Sequence, residues 1–472
     1  MKSTPSSSPE STLFTTAIPL IWGLVLGLSL TVVQTTFAGD WVSYVDETAT
    51  RISADPGVGV NDPQEKDFAS GDVDKDGDTD LVVVRKTPFT NPGGFRNVLF
   101  MNENGVMTDR TSVLAPDFLD VTDDRVAQLA DVDGDTWLDI VTAGTFGQQP
   151  RILMNLGSTG GIWQGFDYQS NRLPVLTSST GNGPKFCGLA VGDVTGDGRP
   201  DLYFADYENN MEDRLLINNG SGVFTDQTAS RLTPTMVSSV FGTDADIADM
   251  NGDGFNDIIK DNATGSGAGL SPKGGNSPAV LILYNDGTGH FDFMDIANAD
   301  APYMVAVADF TQDDRLDLFV VDDGQDRYLI NTGNDAQGHA EFTTHLANPS
   351  PNTNFFGGNV SFADLDNDGI LDVLISDVDT DEEGCDRQLV IMRGQGTPPS
   401  ITYSDPLAGA SRPWTTQGTF DVEPMHINND GVLDLWIGTC SGTKVFMGVN
   451  PDALFADGFE SGNTSEWTLT VP

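Results

Sequence analysis

A motif of alternating oxygen-bearing side chains and glycine returns seven times along this chain, each copy set between two apolar runs. It reads ASGDVDKDGDTDLVVVR from Ala69, ADVDGDTWLDIVTAG from Ala130, GDVTGDGRPDLYFAD from Gly192 and ADMNGDGFNDIIKDN from Ala248. It continues as ADFTQDDRLDLFVVD from Ala308, ADLDNDGILDVLISD from Ala363 and MHINNDGVLDLWIGT from Met425. The first positions, Asp72, Asp131, Asp193, Asp249, Asp309, Asp364 and His426, step by 59, 62, 56, 60, 55 and 62 residues. Such spacing marks one supersecondary unit repeated around a single architecture, with loops of variable length.

Within a unit the apolar pattern predicts four short strands, which in the third repeat read FCGLAVGDV, DLYFAD, DRLLINN and GVFTDQT. Turn formers such as NNGSG separate the last two, as a tight hairpin requires. No stretch of the repeat region carries a sustained helical period, so the class is all-β. The seventh unit stops after its third strand, TKVFMGVN at 443–450, while YVDETATRI at 44–52 reads as a fourth strand standing before the first unit. Pairing the spare strand into the incomplete unit predicts a seven-bladed β-propeller over residues 39–453, closed by its N-terminal strand and free of unpaired sheet edges at the seam. A linear solenoid would need polar capping repeats, and none is visible.

The acidic loops explain their own crowding. In the first, Asp72, Asp74 and Asp76 stand at positions 1, 3 and 5, Gly77 at 6 and Asp80 at 9. Alternate positions of a tight loop turn oxygens inward, glycine permits the turn, and the later carboxylate closes a shell around a hard cation. Calcium fits this set best, since magnesium demands a stricter octahedron and zinc prefers nitrogen or sulfur. An EF-hand is excluded because Val83 stands where its twelfth-position Glu belongs and strands, not helices, flank the loop.

The copies differ in strength. Asp131, Asp133, Asp135 and Asp139 keep four carboxylates with Gly134 displaced, and Asp364, Asp366, Asp368 and Asp372 keep the full pattern. The third loop (Asp193, Thr195, Asp197, Asp201) and the fourth (Asp249, Asn251, Asp253, Asp257) put a neutral oxygen at position 3, which predicts weaker binding. The fifth (Asp309, Thr311, Asp313, Asp317) carries Asp314 where glycine is expected, which predicts a strained turn. In the seventh, His426 precedes Asn428, Asp430 and Asp434; an imidazole nitrogen is a poor calcium ligand, so that site is expected to be weak or empty.

Composition bounds the partners. With 23 Lys plus Arg against 70 Asp plus Glu, a formal charge of -47 disfavours nucleic acid and anionic membrane surfaces. Residues 13–33, LFTTAIPLIWGLVLGLSLTVV, form an uncharged apolar segment before the small-residue site TFA ending at Ala38. This reads as a signal peptide over 1–38, with an uncleaved anchor as the alternative. Either places the remainder outside the cytoplasm: secreted, periplasmic or on the cell surface. Cys187, Cys385 and Cys440 are too few for a disulfide framework; one pair is open to closure, Cys385 with Cys440 among the choices.

Seven DxDxDGxxD-type loops, with echoes in VFGTDADIADMNGDG and FFGGNVSFADLDNDG, resemble the FG-GAP and VCBS-type repeats of integrin α-subunit propellers and of secreted bacterial proteins. The resemblance spans roughly 41–450. It implies that calcium braces the loop between the first and second strands of a blade, on the face opposite the ligand surface, in a structural role. The tail 454–472, LFADGFESGNTSEWTLTVP, looks like a short C-terminal segment found on other exported bacterial proteins, with sorting or a disordered end as its two readings.

No GxSxG, HExxH or phosphate-cradling glycine loop is present, and His290, His339 and His345 fall at peripheral turns or strands, so no catalytic residue is assigned. The leading expectation is a recognition or adhesion module for a glycan or an extracellular protein. Its ligand face would carry KTPFTNPGGFR at 86–96, DNATGSGAGLSPKGGNSP at 261–278 and LAGASRPWTTQG at 407–418. Phe89, Phe95, Tyr207 and Trp414 are candidates for stacking. Some polysaccharide lyases resemble this architecture, which keeps a carbohydrate-active enzyme as one alternative and a purely structural envelope protein as another.

Overall fold

The computed structural model describes residues 36–38 and 42–449, apart from 89–91, 178–182, 208–210, 240, 264–277, 299–301, 348–354, 378–388 and 405–417. Each repeat forms an antiparallel sheet whose strands lie side by side in chain order. In blade 1 these are Glu65–Gly71, Asp80–Lys86, Val98–Asn102 and Met107–Asp109. The first strand of every blade is innermost. These inner strands, Glu65–Gly71, Asp124–Ala130, Phe186–Gly192, Ala245–Ala248, Pro302–Ala308, Phe355–Ala363 and Thr419–Met425, each touch the next, and the last touches the first. The molecule is an all-β, seven-bladed propeller.

Why the second strands are apolar without interruption follows from this packing. Asp80–Lys86 is buried along its whole length because a blade is covered on both faces by its neighbours. Alternation sends its side chains to two different cores. Leu81 and Val83 pack with Trp436 and Val445 of blade 7, whereas Val82 and Val84 pack with Ile140 and Leu153 of blade 2. Seven such clusters fill the seven interfaces between adjacent blades, including the seam. Each fully buried Val or Leu contributes about 1.5–3 kcal/mol, so the interfaces, not the isolated sheets, hold the ring.

At the seam Ser43–Asp46 pairs antiparallel with Gly442–Gly448, matching Tyr44 to Gly448 and Asp46 to Phe446. Thr36–Ala38 pairs in turn with Ser43–Asp46, so the seventh sheet has five strands. The sequence-based strand over 44–52 is therefore too long: after Asp46 the chain makes one helical turn, Thr48–Arg51. The same happens in blades 1 and 3, where Met107–Asp109 and Phe224–Asp226 give way to turns Thr111–Leu114 and Thr228–Arg231.

The cause is a local D-x-T device. Thr48 donates both its backbone N–H (3.0 Å) and its hydroxyl (2.6 Å) to Asp46 Oδ1. Its oxygen then accepts the Val445 N–H of the adjoining strand at 2.9 Å. Asp109 with Thr111 and Asp226 with Thr228 repeat the arrangement at the same distances. Capturing the backbone this way ends the strand and starts the turn.

Cys440 is disulfide-bonded, and Cys187 is a buried thiol; Cys385 lies outside the described residues. So do the apolar segment 13–33, the tail 454–472, Phe89 and Trp414. Among the described residues no helix is long and apolar enough to cross a membrane.

Candidate functional site: acidic loops and central cavity

Antiparallel order places the first-to-second and third-to-fourth turns of every blade on one rim of the ring and the remaining connections on the other. All seven acidic loops join first to second strands, so they share a rim. Their carboxylates organise backbone before they hold anything else. Asp72 accepts the N–H of Asp76 on Oδ1 and of Gly77 on Oδ2, both at 3.1 Å. Asp131, Asp193, Asp249, Asp309 and Asp364 do the same work in their loops. His426 has no carboxylate to offer; its Nδ1 lies 3.1 Å from the Val432 carbonyl oxygen instead.

Position 9 has a second duty that sequence spacing did not reveal. Asp80 accepts the Val73 N–H (3.2 Å) on one oxygen and the Asn102 N–H (2.9 Å), from the end of the third strand, on the other. Asn102 then donates through Nδ2 to the Ile427 carbonyl of blade 7 at 2.9 Å. Asn155, Asn218, Asn285 and Asn331 reach back in the same way to Val73, Val132, Val194 and Met250 of the preceding blade. In blades 6 and 7 Gly394 and Gly448 stand at this position and give only the N–H, to Asp372 and Asp434. The acidic loops are thus tied to the blade interfaces.

Burial, and after it the neighbouring loop carboxylates, destabilise the ninth-position anions. Asp80 is pushed up to about 8, Asp139, Asp257 and Asp372 to about 7, and Asp201, Asp317 and Asp434 to about 6. A cation among these oxygens would offset that penalty. Three loops bring three acid oxygens within 4.8 Å of one another: Asp72, Asp74 and Asp80; Asp131, Asp133 and Asp139; Asp364, Asp366 and Asp372. These clusters can hold a metal ion. In the sixth, however, the Arg393 guanidinium already lies 2.5 Å from Asp366 Oδ2 and 3.3 Å from Asp368 Oδ2.

The remaining loops depart further. Thr311 is wholly buried and gives both its N–H (3.1 Å) and its hydroxyl (2.9 Å) to Asp317, and Asp313 pairs with Arg315. Asn251 turns its amide to Asp253 at 3.1 Å. Asp314 has φ 64°, the left-handed strain expected of a non-glycine there, and Thr136 shares it at 76°. Position 4 is left-handed too, with Lys75, Gln312, Asn367 and Asn429 at φ 56–61°.

The opposite rim opens into a cavity of about 490 Å³ in the centre of the ring. Phe146, Tyr207, Phe241, Tyr303 and Phe420 contribute aromatic surface, and Asp67, Asn359, Asp421 and Glu423 on the inner strands, with Asp244 just before one, contribute polar groups. Tyr207 and Phe241 pack with ring centroids 4.4 Å apart. Asp67 accepts the Ala127 N–H (2.9 Å) and the Asn359 amide (3.1 Å), Asp421 accepts the Phe68 N–H (3.1 Å), and Glu423 accepts the Ser70 hydroxyl (2.5 Å). Burial pushes Asp67, Asp244 and Glu423 up to about 7, and Asp421 is raised by burial and by repulsion from Asp67 and Glu423.

Of the stacking candidates, Tyr207 lines this cavity, while Phe95 is apart from it beneath the Arg85 guanidinium, 5.5 Å from ring centroid to Cζ. None of the four histidines lines it. His290 is exposed in a turn, and His339 and His345 stack on Phe293 and Tyr328. Sequence reasoning missed the cavity acids because they are spread over blades 1, 4 and 7, although each lies five or three residues before its acidic loop.

Residues 193–259 and 309–375 match the FG-GAP-like repeat family. Each match runs from one acidic loop through the next. No curated protein matches the chain. A solved structure of an Agrocybe aegerita lectin, described as showing specific recognition of non-reducing terminal N-acetylglucosamine, is similar at 14% identity, covering 86% of this chain and 94% of that one, with a TM-score of 0.48.

Proposed function

Taking as its premise a seven-bladed β-propeller carrying FG-GAP-like repeats, we propose that the protein is an exported recognition module. Calcium in its acidic loops braces one rim, and the cavity at the other binds a glycan. The carrying observation is the cavity itself: about 490 Å³ falls within the roughly 300–1,000 Å³ of small-ligand sites. Aromatic faces such as Tyr207 and Phe241 suit the C–H faces of a pyranose. Carboxylates and an amide, Asp67, Asn359, Asp421 and Glu423, suit its hydroxyls.

The calcium assignment is supported by the all-oxygen donor sets of the first two loops, Asp72, Asp74, Asp76, Asp80 and Asp131, Asp133, Asp135, Asp139. The ion supplies positive charge against carboxylates that burial and mutual repulsion disfavour; the loop residues position it and couple it to the third strands. Export is supported by the apolar segment 13–33 and the small-residue site after it.

A second reading, a carbohydrate-active enzyme, is favoured by one observation: cavity carboxyls pushed up to about 7 are in the range that general acid catalysis uses. One experiment separates the readings. The calcium-loaded full chain is applied to a glycan and polysaccharide panel, read for retention and for new reducing or unsaturated ends. Retention without cleavage is the expected result. Cleavage would favour the enzyme, and silence on both would leave a protein partner or a purely structural envelope role in place of the glycan.

A further inference from the structure

The charges around the cavity are unevenly placed. Among the described residues its lining holds four carboxylates, Asp67, Asp244, Asp421 and Glu423, against two cations, Lys86 and Arg125. Arg125 acts as an opposite charge toward both Asp67 and Asp244. Lys86 donates to the Thr87 carbonyl at 2.8 Å and sits 5.8 Å from the centroid of the Phe146 ring. Among the described residues, blades 6 and 7 contribute no cation to the lining. On that side Asp67, Asp421 and Glu423 face one another across the seam, with Asn359 bridging to Asp67 at 3.1 Å.

The spacing of these acids argues against a bare metal ion. Among the described residues, three acid oxygens come within 4.8 Å of one another only in the three acidic loops, and the seam trio is not among them. More widely set acceptors fit a larger cation that supplies several hydrogen-bond donors. An ammonium offers three.

An independent observation points to a polar ligand. Thr145 and Ser361 line it, and the hydroxyl oxygens of both are buried with no hydrogen-bond partner in the protein. Thr145 is only 2% exposed. Buried hydroxyls are ordinarily satisfied, and hydroxyl or amine groups of a bound sugar would do so here.

We infer that the cavity recognises a primary ammonium group carried on a sugar, selecting an amino sugar with its amine free over the acylated or neutral counterpart. The inference rests on the glycan reading above and sharpens it. The ammonium sits among Asp67, Asp421 and Glu423, sugar hydroxyls reach Ser361 and Thr145, and a pyranose face meets the aromatic surface.

Calorimetric titration of the calcium-loaded full chain tests it with three matched oligosaccharides: glucosamine, N-acetylglucosamine and glucose oligomers. The free-amine oligomer is expected to bind about tenfold tighter or better, one desolvated charge pair being worth roughly that factor. Its affinity alone should fall several-fold as salt is raised. Glu423→Gln, which keeps an acceptor for Ser70, should erase most of the preference for the free amine. Asp421→Asn serves as a second variant, with its folding checked by melting because Asp421 also holds the Phe68 N–H. Equal affinity for all three oligomers, or a preference unchanged in both variants, would overturn the inference and leave glycan recognition standing. Binding of lysine amide but of no amino sugar would overturn it as well, and failure of every sugar would remove both readings.

Discussion

The residue at one position separates the acidic loops from one another. Position 6 must adopt left-handed φ, which glycine does freely and an L-residue does at about 1–2 kcal/mol. Asp314, at φ 64°, carries that strain, and its N–H still bonds to Asp309 at 2.9 Å, a bond glycine would keep. Asp314→Gly is therefore expected to stabilise the protein by about 1 kcal/mol, measured as a raised melting temperature; a lower one would contradict the strain. Arg393 gives a second residue-scale prediction. Its guanidinium occupies Asp366 and Asp368, so the sixth loop, complete by its pattern, should bind calcium more weakly than the first two. Arg393→Gln should then add one ion to the number bound at low calcium, counted by equilibrium dialysis. The oxygen positions of these loops were legible in the sequence because they are local. Arg393 was not, since it comes 27 residues after Asp366 and meets it only through the folded blade.

At the scale of the element, the asparagine ending the third strand does what the strands cannot do alone. Asn218 donates through Nδ2 to Val132 of blade 2 (2.7 Å) and Pro200 (3.0 Å), and accepts the Gly220 N–H (2.9 Å) and the Gly222 N–H (3.2 Å). Removing it leaves several buried groups without partners, so Asn218→Ala should cost about 2–3 kcal/mol. Gly394, which already lacks the side chain, sits at a position where the sheets hold without it. A loss under 0.5 kcal/mol in denaturant unfolding, roughly the scatter of a neutral surface change, would show that the link carries no weight. The NNGSG turn was readable as a hairpin, but its first Asn looked only like a turn former. The fourth strands were overread for a related reason: alternation continues past Asp46 in YVDETATRI, while the Asp46–Thr48 contact ends the strand.

For the whole molecule, the blade count followed from the repeat spacing, because each unit must bury both faces against its neighbours. The cavity could not be foreseen, since its lining is gathered from all seven blades. The same ring concentrates buried acids, and this fixes how its stability should respond to pH. Asp80, Asp139, Asp257 and Asp372 have folded values near 7–8, raised above the 3.8 of the open chain. Between those limits the folded state holds more protons than the unfolded one, so stability falls as pH rises and levels off above about 8. In chelator, the melting temperature should therefore drop from pH 5 to pH 8. Calcium, which binds the ionised form, should flatten or reverse that trend. A melting temperature that climbs with pH in chelator would contradict the burial argument. The most direct test of calcium as the brace of this ring is anomalous diffraction from crystals grown with calcium. The account predicts density peaks ligated by Asp72, Asp74, Asp76 and Asp80 and by Asp131, Asp133, Asp135 and Asp139, with none beside His426; peaks absent from both of those loops would contradict it.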